Sequence, residues 1–343
     1  MVTYTLKIVD IRNETEDTVT VCFKQPALRK VKYKAGQYLT LIFRINGRRY
    51  IRPYSFSSAP SVDKLIEVTI KRIPNGIVSN HIHDQIKTGD SVEVFEPMGE
   101  FIYHPNEDVR NVYFWGVGSG ITPLMSLIKE ILALNSEIQV NLVYGNRNFG
   151  TTIFNHVINE LLVKYKDQFK VWHFHTQAVL SEDNTHVIEG RIKEDRALDI
   201  LTKIYAPESL HYICGPSGLK ESVKTVLNNI GVPLENVFVE DFELVKDPKD
   251  FEDIHTQVIN LKFENVDYTL EVIKGKSILE SALDAGIELA YSCQTGNCST
   301  CKGICIKGEL KMIGLSNERS DLMINEYLLC CSHPLTMDVC IEI

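Results

Sequence analysis

Ser292-Cys293-Gln294-Thr295-Gly296-Asn297-Cys298-Ser299-Thr300-Cys301, followed after 29 intervening residues by Cys331, decides the reading of this 343-residue chain. The spacing C-x4-C-x2-C…C is the one with which four thiolates hold the two irons of a [2Fe–2S] cluster. A structural zinc site more often shows paired C-x2-C knuckles or a Cys/His mixture. The residues between the cysteines are small or polar, so the loop can wrap tightly and turn backbone N–H groups toward sulfur. A disulfide pair or a set of buried thiols explains neither the spacing nor the loop composition. Such a centre moves one electron at a time, and the chain is expected to be an electron carrier or an electron-transfer enzyme.

The fourth ligand requires a choice within Tyr327-Leu328-Leu329-Cys330-Cys331-Ser332-His333-Pro334. If the stretch is extended, neighbouring side chains point to opposite faces. Cys330 then shares the apolar face of Leu328, and Cys331, which has the usual ferredoxin spacing, is expected to be the ligand. Cys305, four residues after Cys301 in an expected strand, reads as core, and Cys22, Cys214 and Cys340 have no partner pattern.

A chain of this length is expected to hold two or three domains. Its 44% hydrophobic residues suffice for ordinary cores. No apolar run approaches the roughly 18 residues of a membrane span. The start, Met1-Val2-Thr3-Tyr4-Thr5-Leu6-Lys7, lacks the form of a signal peptide. Nine cysteines with cluster spacing suit a reducing compartment, so a cytoplasmic location is expected. A net charge of −9 argues against nucleic acid as partner. The charge is uneven: residues 1–108 carry 15 basic against 13 acidic side chains, residues 109–256 carry 14 against 20, and residues 257–343 carry 7 against 12. A mildly basic first segment can host a phosphate-bearing cofactor, and an acidic last one can steer toward a basic partner, although ordinary solubility charge explains the latter equally well.

The first segment reads as a small antiparallel β-barrel. Thr18–Phe23, Tyr38–Ile45, Leu65–Arg72 and Ser91–Phe95 are strand-like, with turns at Asn46-Gly47, Pro74-Asn75-Gly76 and Thr88-Gly89-Asp90. Within it lies Arg52-Pro53-Tyr54-Ser55-Phe56-Ser57-Ser58. Arg52 can pair with a cofactor phosphate, Tyr54 can offer a ring to an isoalloxazine, and the Ser55 hydroxyl can hydrogen-bond near flavin N5. In Gly76-Ile77-Val78-Ser79-Asn80, Gly76 permits close backbone approach and Ser79 can open a short helix over a pyrophosphate.

The middle segment changes pattern. Asn111–Trp115 is a buried-strand run, Gly116-Val117-Gly118-Ser119-Gly120-Ile121-Thr122-Pro123 is a glycine turn, and a periodic helix runs from about Leu124 to Leu134. Strand, glycine turn and helix make a phosphate site. Further strands are expected at Ile138–Tyr144, near Lys170–Phe174 and at Leu210–Ile213, giving a parallel α/β sheet. Cys214-Gly215-Pro216 follows the last of these, where such sheets bind ligands. The end of the second strand, Tyr144-Gly145-Asn146-Arg147-Asn148, has no carboxylate for a ribose, and Arg147 can pair with a 2′-phosphate, which leans toward NADPH.

Arg-x-Tyr-Ser, a glycine-rich loop ending Thr-Pro, and Cys-Gly-Pro, in this order, resemble the ferredoxin–NADP⁺ reductase superfamily. With a plant-type ferredoxin domain at the C-terminus, the chain resembles the reductase components of multicomponent oxygenases. It is most similar to those serving phenylacetyl-CoA epoxidases, and those of 3-ketosteroid 9α-hydroxylases share the order. Tyr144-Gly145-Asn146-Arg147 and Phe238-Val239-Glu240-Asp241-Phe242 extend the resemblance over essentially the whole chain. It implies an FAD-binding barrel over 1–108, an NAD(P)-binding α/β domain over 109–242, a linker over 243–256 and a β-grasp [2Fe–2S] domain over 257–343. It also implies that Arg52, Tyr54 and Ser55 bind FAD, with Gly76 and Ser79 at its pyrophosphate. Gly116, Gly118, Gly120 and Thr122 would bind the nicotinamide dinucleotide, Cys214 would lie near nicotinamide C4, and Glu240 near the flavin edge.

The expected sequence of events is hydride transfer from NAD(P)H to FAD, then single electrons through the cluster to a partner protein, an oxygenase in the leading reading. A hybrid-cluster protein, desaturase or steroid hydroxylase is the alternative partner. A non-catalytic redox sensor or adaptor is the alternative from another class, and the intact Arg52, Tyr54, Ser55 and Cys214 speak against it. His81-x-His83 and His173-x-His175 lack a completing ligand and are expected to be solvated or hydrogen-bonded.

Overall fold

The computed structural model describes residues 2–105, 108–177, 187–203, 208–244, 246–315 and 319–343. They form two compact units, Met1–Asn46 with Tyr54–Glu240, and Gly47–Pro53 with Asp241–Ile343.

The chain opens with strands β1 (Thr3–Thr15), β2 (Thr18–Lys24), β3 (Tyr38–Ile45), β4 (Arg48–Ser55, of which residues 48–53 belong to the second unit), β5 (Ile66–Lys71) and β6 (Ser91–Phe95), and helix α1 (Ile77–Gln85). The sheet order is β4-β3-β6-β1-β2-β5, and the pairings of β1 with β2 and β6, of β2 with β5 and of β3 with β6 are antiparallel. Phe56, just past β4, bridges to Val68 of β5 and closes the barrel. Its interior is filled by alternating apolar residues such as Leu6, Ile8, Val21, Phe23, Leu39 and Ile70, all nearly inaccessible to solvent. Two of these six strands were not expected. Asp10, Arg12, Asn13 and Glu14 break the apolar run in β1, and three arginines do so in β4.

The first unit continues with β7 (Asn111–Val117), α2 (Ile121–Leu134), β8 (Gln139–Asn146), α3 (Asn155–Lys164), β9 (Phe169–His175), β10 (Val187–Glu189), α4 (Glu194–Lys203), β11 (Ser209–Cys214), α5 (Ser217–Asn229) and β12 (Val237–Glu240). All pairings in the order β10-β9-β8-β7-β11-β12 are parallel. Alternation along β7 explains the two layers. Val112 and Phe114 enter one core with Leu124, Leu127 and Ile128 of α2, while Tyr113 and Trp115 enter the other with Val223 and Leu227 of α5. Helix α2 starts three residues earlier than its periodicity suggests, because Gly118–Gly120 forms a 3-10 turn that runs straight into it. It is tied to the barrel by Ser126 Oγ donating to Ser58 O (2.6 Å) and by a Lys129–Asp63 ion pair (2.7 Å).

The second unit holds β13 (Gln257–Phe263), β14 (Val266–Val272), α6 (Ile278–Asp284), β15 (Lys302–Lys307), β16 (Leu310–Met312), β17 (Glu326–Leu328), β18 (Ser332–Pro334) and β19 (Cys340–Glu342). The mixed sheet β14-β13-β19-β15-β17, with β13 and β19 parallel, carries one helix, the β-grasp arrangement. Ser277 and Glu280 form a capping box that starts α6. Of the segment 243–256, Val245 lies outside the described residues. Pro248–Phe251 forms a 3-10 turn capped by Asp247, and Phe251 and Ile254 pack with Ile313. This part of the expected linker therefore belongs to the apolar interior of the second unit. No helix among the described residues is long and apolar enough to cross a membrane.

Candidate functional site

The parallel sheet reverses its strand order between β7 and β11, and the loops that follow these two strands meet there. Gly120 packs so closely that a Cβ would stand 2.1 Å from the carbonyl oxygen of Cys214. Gly118 has φ +55°, the left-handed region, and lines a cleft of about 980 Å³. Gly116 and Thr122 act one step away. Gly116 accommodates Leu124, and the Thr122 hydroxyl donates to Ser119 O (3.1 Å), holding the turn. The structure thus brings the four predicted coenzyme residues together, with only Gly118 at the cleft wall.

Arg147 also lines this cleft, as the sequence suggests. Lys71 from β5 and Arg191 and Lys193 before α4 line it too, and these three were missed. No periodicity or motif marks them; β5 of the barrel sheet and the loop after β10 of the parallel sheet bring them to one cleft. Arg147 and Lys71 share Asp17, at 3.9 and 3.4 Å.

Cys214 and Glu240 are in register on the neighbouring parallel strands β11 and β12, so their side chains share a face. Burial pushes the Cys214 thiol well above its usual range, and Glu240 adds to this. Glu240 keeps partial solvent access at its strand end, yet the surrounding protein desolvates the carboxyl and pushes it up to about 8. At neutral pH both groups are uncharged, and the carboxylic acid can donate a hydrogen bond or a proton.

On β4, Arg52 and Tyr54 alternate with the buried Ser55, and Arg52 Nη1 donates to Ile51 O (2.8 Å). Helix α1 is opened by Gly76, and Ser79 is its third residue rather than its first, a correction to the expected role. Ser79 Oγ accepts from Ile73 N (3.2 Å), and a Cβ on Gly76 would stand 2.5 Å from that oxygen. Ser79 therefore shapes the turn at Gly76, whose own N–H donates to Ile73 O (2.9 Å) and whose carbonyl accepts from Asn80 Nδ2 (2.6 Å).

The cluster loop is wound around its sulfurs. The N–H groups of Thr295 and Cys298 donate to Cys293 Sγ at 3.4 and 3.3 Å. Gly296 has φ +75°, and a Cβ there would stand 2.1 Å from Leu315 Cδ2. The thiols stand in pairs: Cys293 is hydrogen-bonded with Cys298, a bond that lowers the Cys298 thiol below its usual range, and Cys301 is hydrogen-bonded with Cys330. No set of three or more donors among the described residues is drawn together as a single-ion site. Two thiols per iron is what a [2Fe–2S] cluster requires, so Cys293 with Cys298 and Cys301 with Cys330 fit that group as they stand, while the expected fourth ligand Cys331 bonds with Cys330 rather than with Cys301.

The vicinal cysteines correct one premise. Residues 329–331 form a turn between β17 and β18, with Cys331 N donating to Leu328 O (3.1 Å), so strand alternation does not separate the two side chains. Both are buried. Cys330 bonds with Cys301 and Cys331, whereas Cys331 Sγ lies 3.8 Å from the position of a Gly296 Cβ and donates to Leu328 O.

His81 and His83 lie on helix α1, where i and i+2 diverge, and His83 Nε2 meets Ile70 O at 3.1 Å, a hydrogen-bonded histidine as expected. His173 and His175 are buried around Phe149 rather than solvated, and burial lowers both, His173 to about 4.

Three family profiles match this chain: an oxidoreductase FAD-binding domain over residues 5–103, an oxidoreductase NAD-binding domain over 114–225 and a 2Fe-2S iron-sulfur cluster binding domain over 261–336. One of the component chains of 1,2-phenylacetyl-CoA epoxidase from Escherichia coli strain K12 is 29% identical over 349 residues, covering 99% of this chain and 97% of that protein. The ferredoxin reductase component of 3-ketosteroid-9-alpha-monooxygenase from Rhodococcus rhodochrous is 29% identical, covering 98% and 96%. Among solved structures, phthalate dioxygenase reductase shares the fold, with a TM-score of 0.69 at 23% identity over 99% of this chain and 98% of that one.

The raised Glu240 acidity has a measurable consequence. Between pH 4.5 and about 8 the unfolded chain has released this proton while the folded chain retains it. The unfolded state binds fewer protons there, so this group's contribution to stability falls as pH rises. Glu240→Gln is neutral at every pH and escapes this loss. In cofactor-free protein, denaturant titrations should show wild-type stability declining relative to the variant across that window. A constant difference would mean that the carboxyl ionises normally.

Proposed function

We propose, for a chain that belongs to the ferredoxin–NADP⁺ reductase superfamily and carries a fused plant-type ferredoxin domain, that its electron acceptor is an oxygenase of the phenylacetyl-CoA epoxidase kind. The supporting observation is the joining of FAD-, NAD- and [2Fe–2S]-binding domains in one chain that matches a component of such an epoxidase from end to end. FAD, when bound, would supply the conversion of a two-electron donor into single electrons, and a [2Fe–2S] cluster would supply one-electron transfer.

The chain's own residues hold and align these groups. Arg52, Tyr54 and Ser55 would hold the flavin, with the turn built by Gly76 and Ser79 near its phosphates. Gly118, on the turn shaped by Gly116, Gly120 and Thr122, receives the nicotinamide dinucleotide. Cys214 lines the nicotinamide face with a neutral thiol, and the protonated Glu240 beside it can donate where negative charge develops. Cys293, Cys298, Cys301 and Cys331 hold the irons. Cys331 is preferred over Cys330 for its spacing alone; Cys330 is the one bonded to Cys301 and to the Gly296 backbone.

Purified protein should oxidise NADPH in the presence of an artificial one-electron acceptor. It should also support turnover of a phenylacetyl-CoA-type oxygenase component. Acceptor reduction without any support of such an oxygenase would leave the reductase standing and remove this partner. Cys331→Ser should abolish the visible cluster absorption and lower iron from about two per chain, while Cys330→Ser should keep both; the reverse result transfers the ligand role to Cys330. For the coenzyme, Arg147 with Lys71, Arg191 and Lys193 favours a 2′-phosphate. Steady-state kcat/KM should be higher with NADPH than with NADH, and Arg147→Ala should lower that ratio roughly tenfold, the equivalent of losing one charge-assisted contact. An NADH preference, or an unchanged ratio in the variant, removes the phosphate role from Arg147.

A further inference from the structure

Arg319 reaches across the cluster loop from a segment that contains no cysteine. Its guanidinium donates from Nη1 to the carbonyl oxygens of Gly296 and Cys298 (3.3 Å to the latter) and from Nη2 to Ser299 Oγ (2.8 Å). Nε and Nη2 also form a two-point pair with Asp321, at 2.7 and 2.8 Å. The side chain is only 14% exposed. A surface arginine rarely satisfies so many donors at once, and the planar fork fixes the direction of each bond.

These bonds bear on the amides of the loop. A trans peptide holds its C=O and N–H on opposite sides. The carbonyls of Gly296 and Cys298 are drawn toward Arg319, so the N–H groups of the same peptide units, those of Asn297 and Ser299, are turned the other way. Thr295 and Cys298 N–H already point at Cys293 Sγ. We propose that Arg319, oriented by Asp321, is a positioning residue that fixes the cluster-loop amides and so sets the reduction potential of the [2Fe–2S] centre. This rests on Cys293, Cys298 and Cys301 being ligands of that centre. An added electron is stabilised by inward N–H dipoles and by a nearby cation, so Arg319 makes the cluster easier to reduce. The anionic Asp321 offsets much of the cation at long range, which leaves the dipoles as the larger part.

The test uses the full-length holoprotein, with redox titrations followed by electron paramagnetic resonance and visible absorption. In Arg319→Gln with a full iron complement, the cluster midpoint should fall by the equivalent of about a tenfold change in equilibrium, ~59 mV for one electron. The flavin midpoint should stay in place. Arg319→Lys keeps the charge and loses the fork, and should lie between wild type and R319Q. An unshifted midpoint in fully loaded R319Q overturns the proposal. If R319Q holds no cluster, the midpoint of R319K decides in the same way, and loss of the cluster in both variants makes Arg319 a structural strap and overturns a potential-setting role. A wild-type protein without a [2Fe–2S] spectrum refutes the ligand reading itself, an outcome distinct from an unshifted variant.

Discussion

The contact between Gly120 and the carbonyl of Cys214 is the constraint on which the first unit depends. Strands β7 and β11 are neighbours whose connections leave in opposite directions, so the turn after β7 must pass over the end of β11. With a Cβ only 2.1 Å from a carbonyl oxygen, no side chain fits there. The bare backbone lets α2 begin immediately after the turn, and α2 is the element tied to the barrel through Ser126 and Lys129. The Lys129–Asp63 pair is largely shielded from water, with side-chain exposures of 11% and 22%, so its register is held more firmly than an open surface pair would hold it. One glycine thus links strand order, helix position and the seating of the barrel against the cleft.

Burial does for the end of β11 and β12 what charge does for the cleft. Two potentially anionic groups, Cys214 and Glu240, sit side by side. Desolvation keeps both neutral, which avoids the repulsion that a thiolate and a carboxylate in register would suffer. A neutral acid beside a neutral thiol presents hydrogen-bond donors to an electron-rich ring without fixing a negative charge beside it. The cleft wall instead carries four basic side chains, Lys71, Arg147, Arg191 and Lys193, against the acidic Glu194 and Asp195, a balance that suits a phosphate-bearing coenzyme. On the proposed roles, the two environments would divide the recognition of phosphate from the handling of the reacting ring.

The cysteine spacing and the glycine turn made the architecture legible because each is a local pattern with one structural solution. The strands at Tyr38–Ile45, Ser91–Phe95 and Gln257–Phe263 are just as local, since their apolar residues alternate or run unbroken. Strands β1 and β4 were not legible, because barrel closure, not their own composition, makes them strands. The same holds for residues that act across the fold. Lys71, Arg191 and Lys193 meet Arg147 only in three dimensions, and Arg319 lies 18 residues past the last cysteine of the loop it binds. Cys330 and Cys331 failed in a different way: the strand rule applied to them was sound, but their segment is a turn.

Asp17 bears directly on how the cleft selects its coenzyme. Partial burial alone would raise its carboxyl, yet bonds from Thr15 and Thr18 and the nearby Lys71 hold it below the usual range, so it is ionised at neutral pH. It stands 3.4 Å from Lys71 and 3.9 Å from Arg147, and the Arg147 side chain remains 57% exposed. A pair this long and this open is worth roughly 0–1 kcal/mol. That is enough to keep the two cations near the cleft wall and too little to bar an arriving phosphate. The coenzyme's third phosphate would gain a charge-assisted contact of roughly 1.5–3 kcal/mol, more than the pair it displaces. A coenzyme without that phosphate would leave Arg147 with Asp17 and lose nothing. On the proposed role of Arg147, discrimination at this position would come from what the larger coenzyme gains and would be set by the difference between two contacts to the same guanidinium.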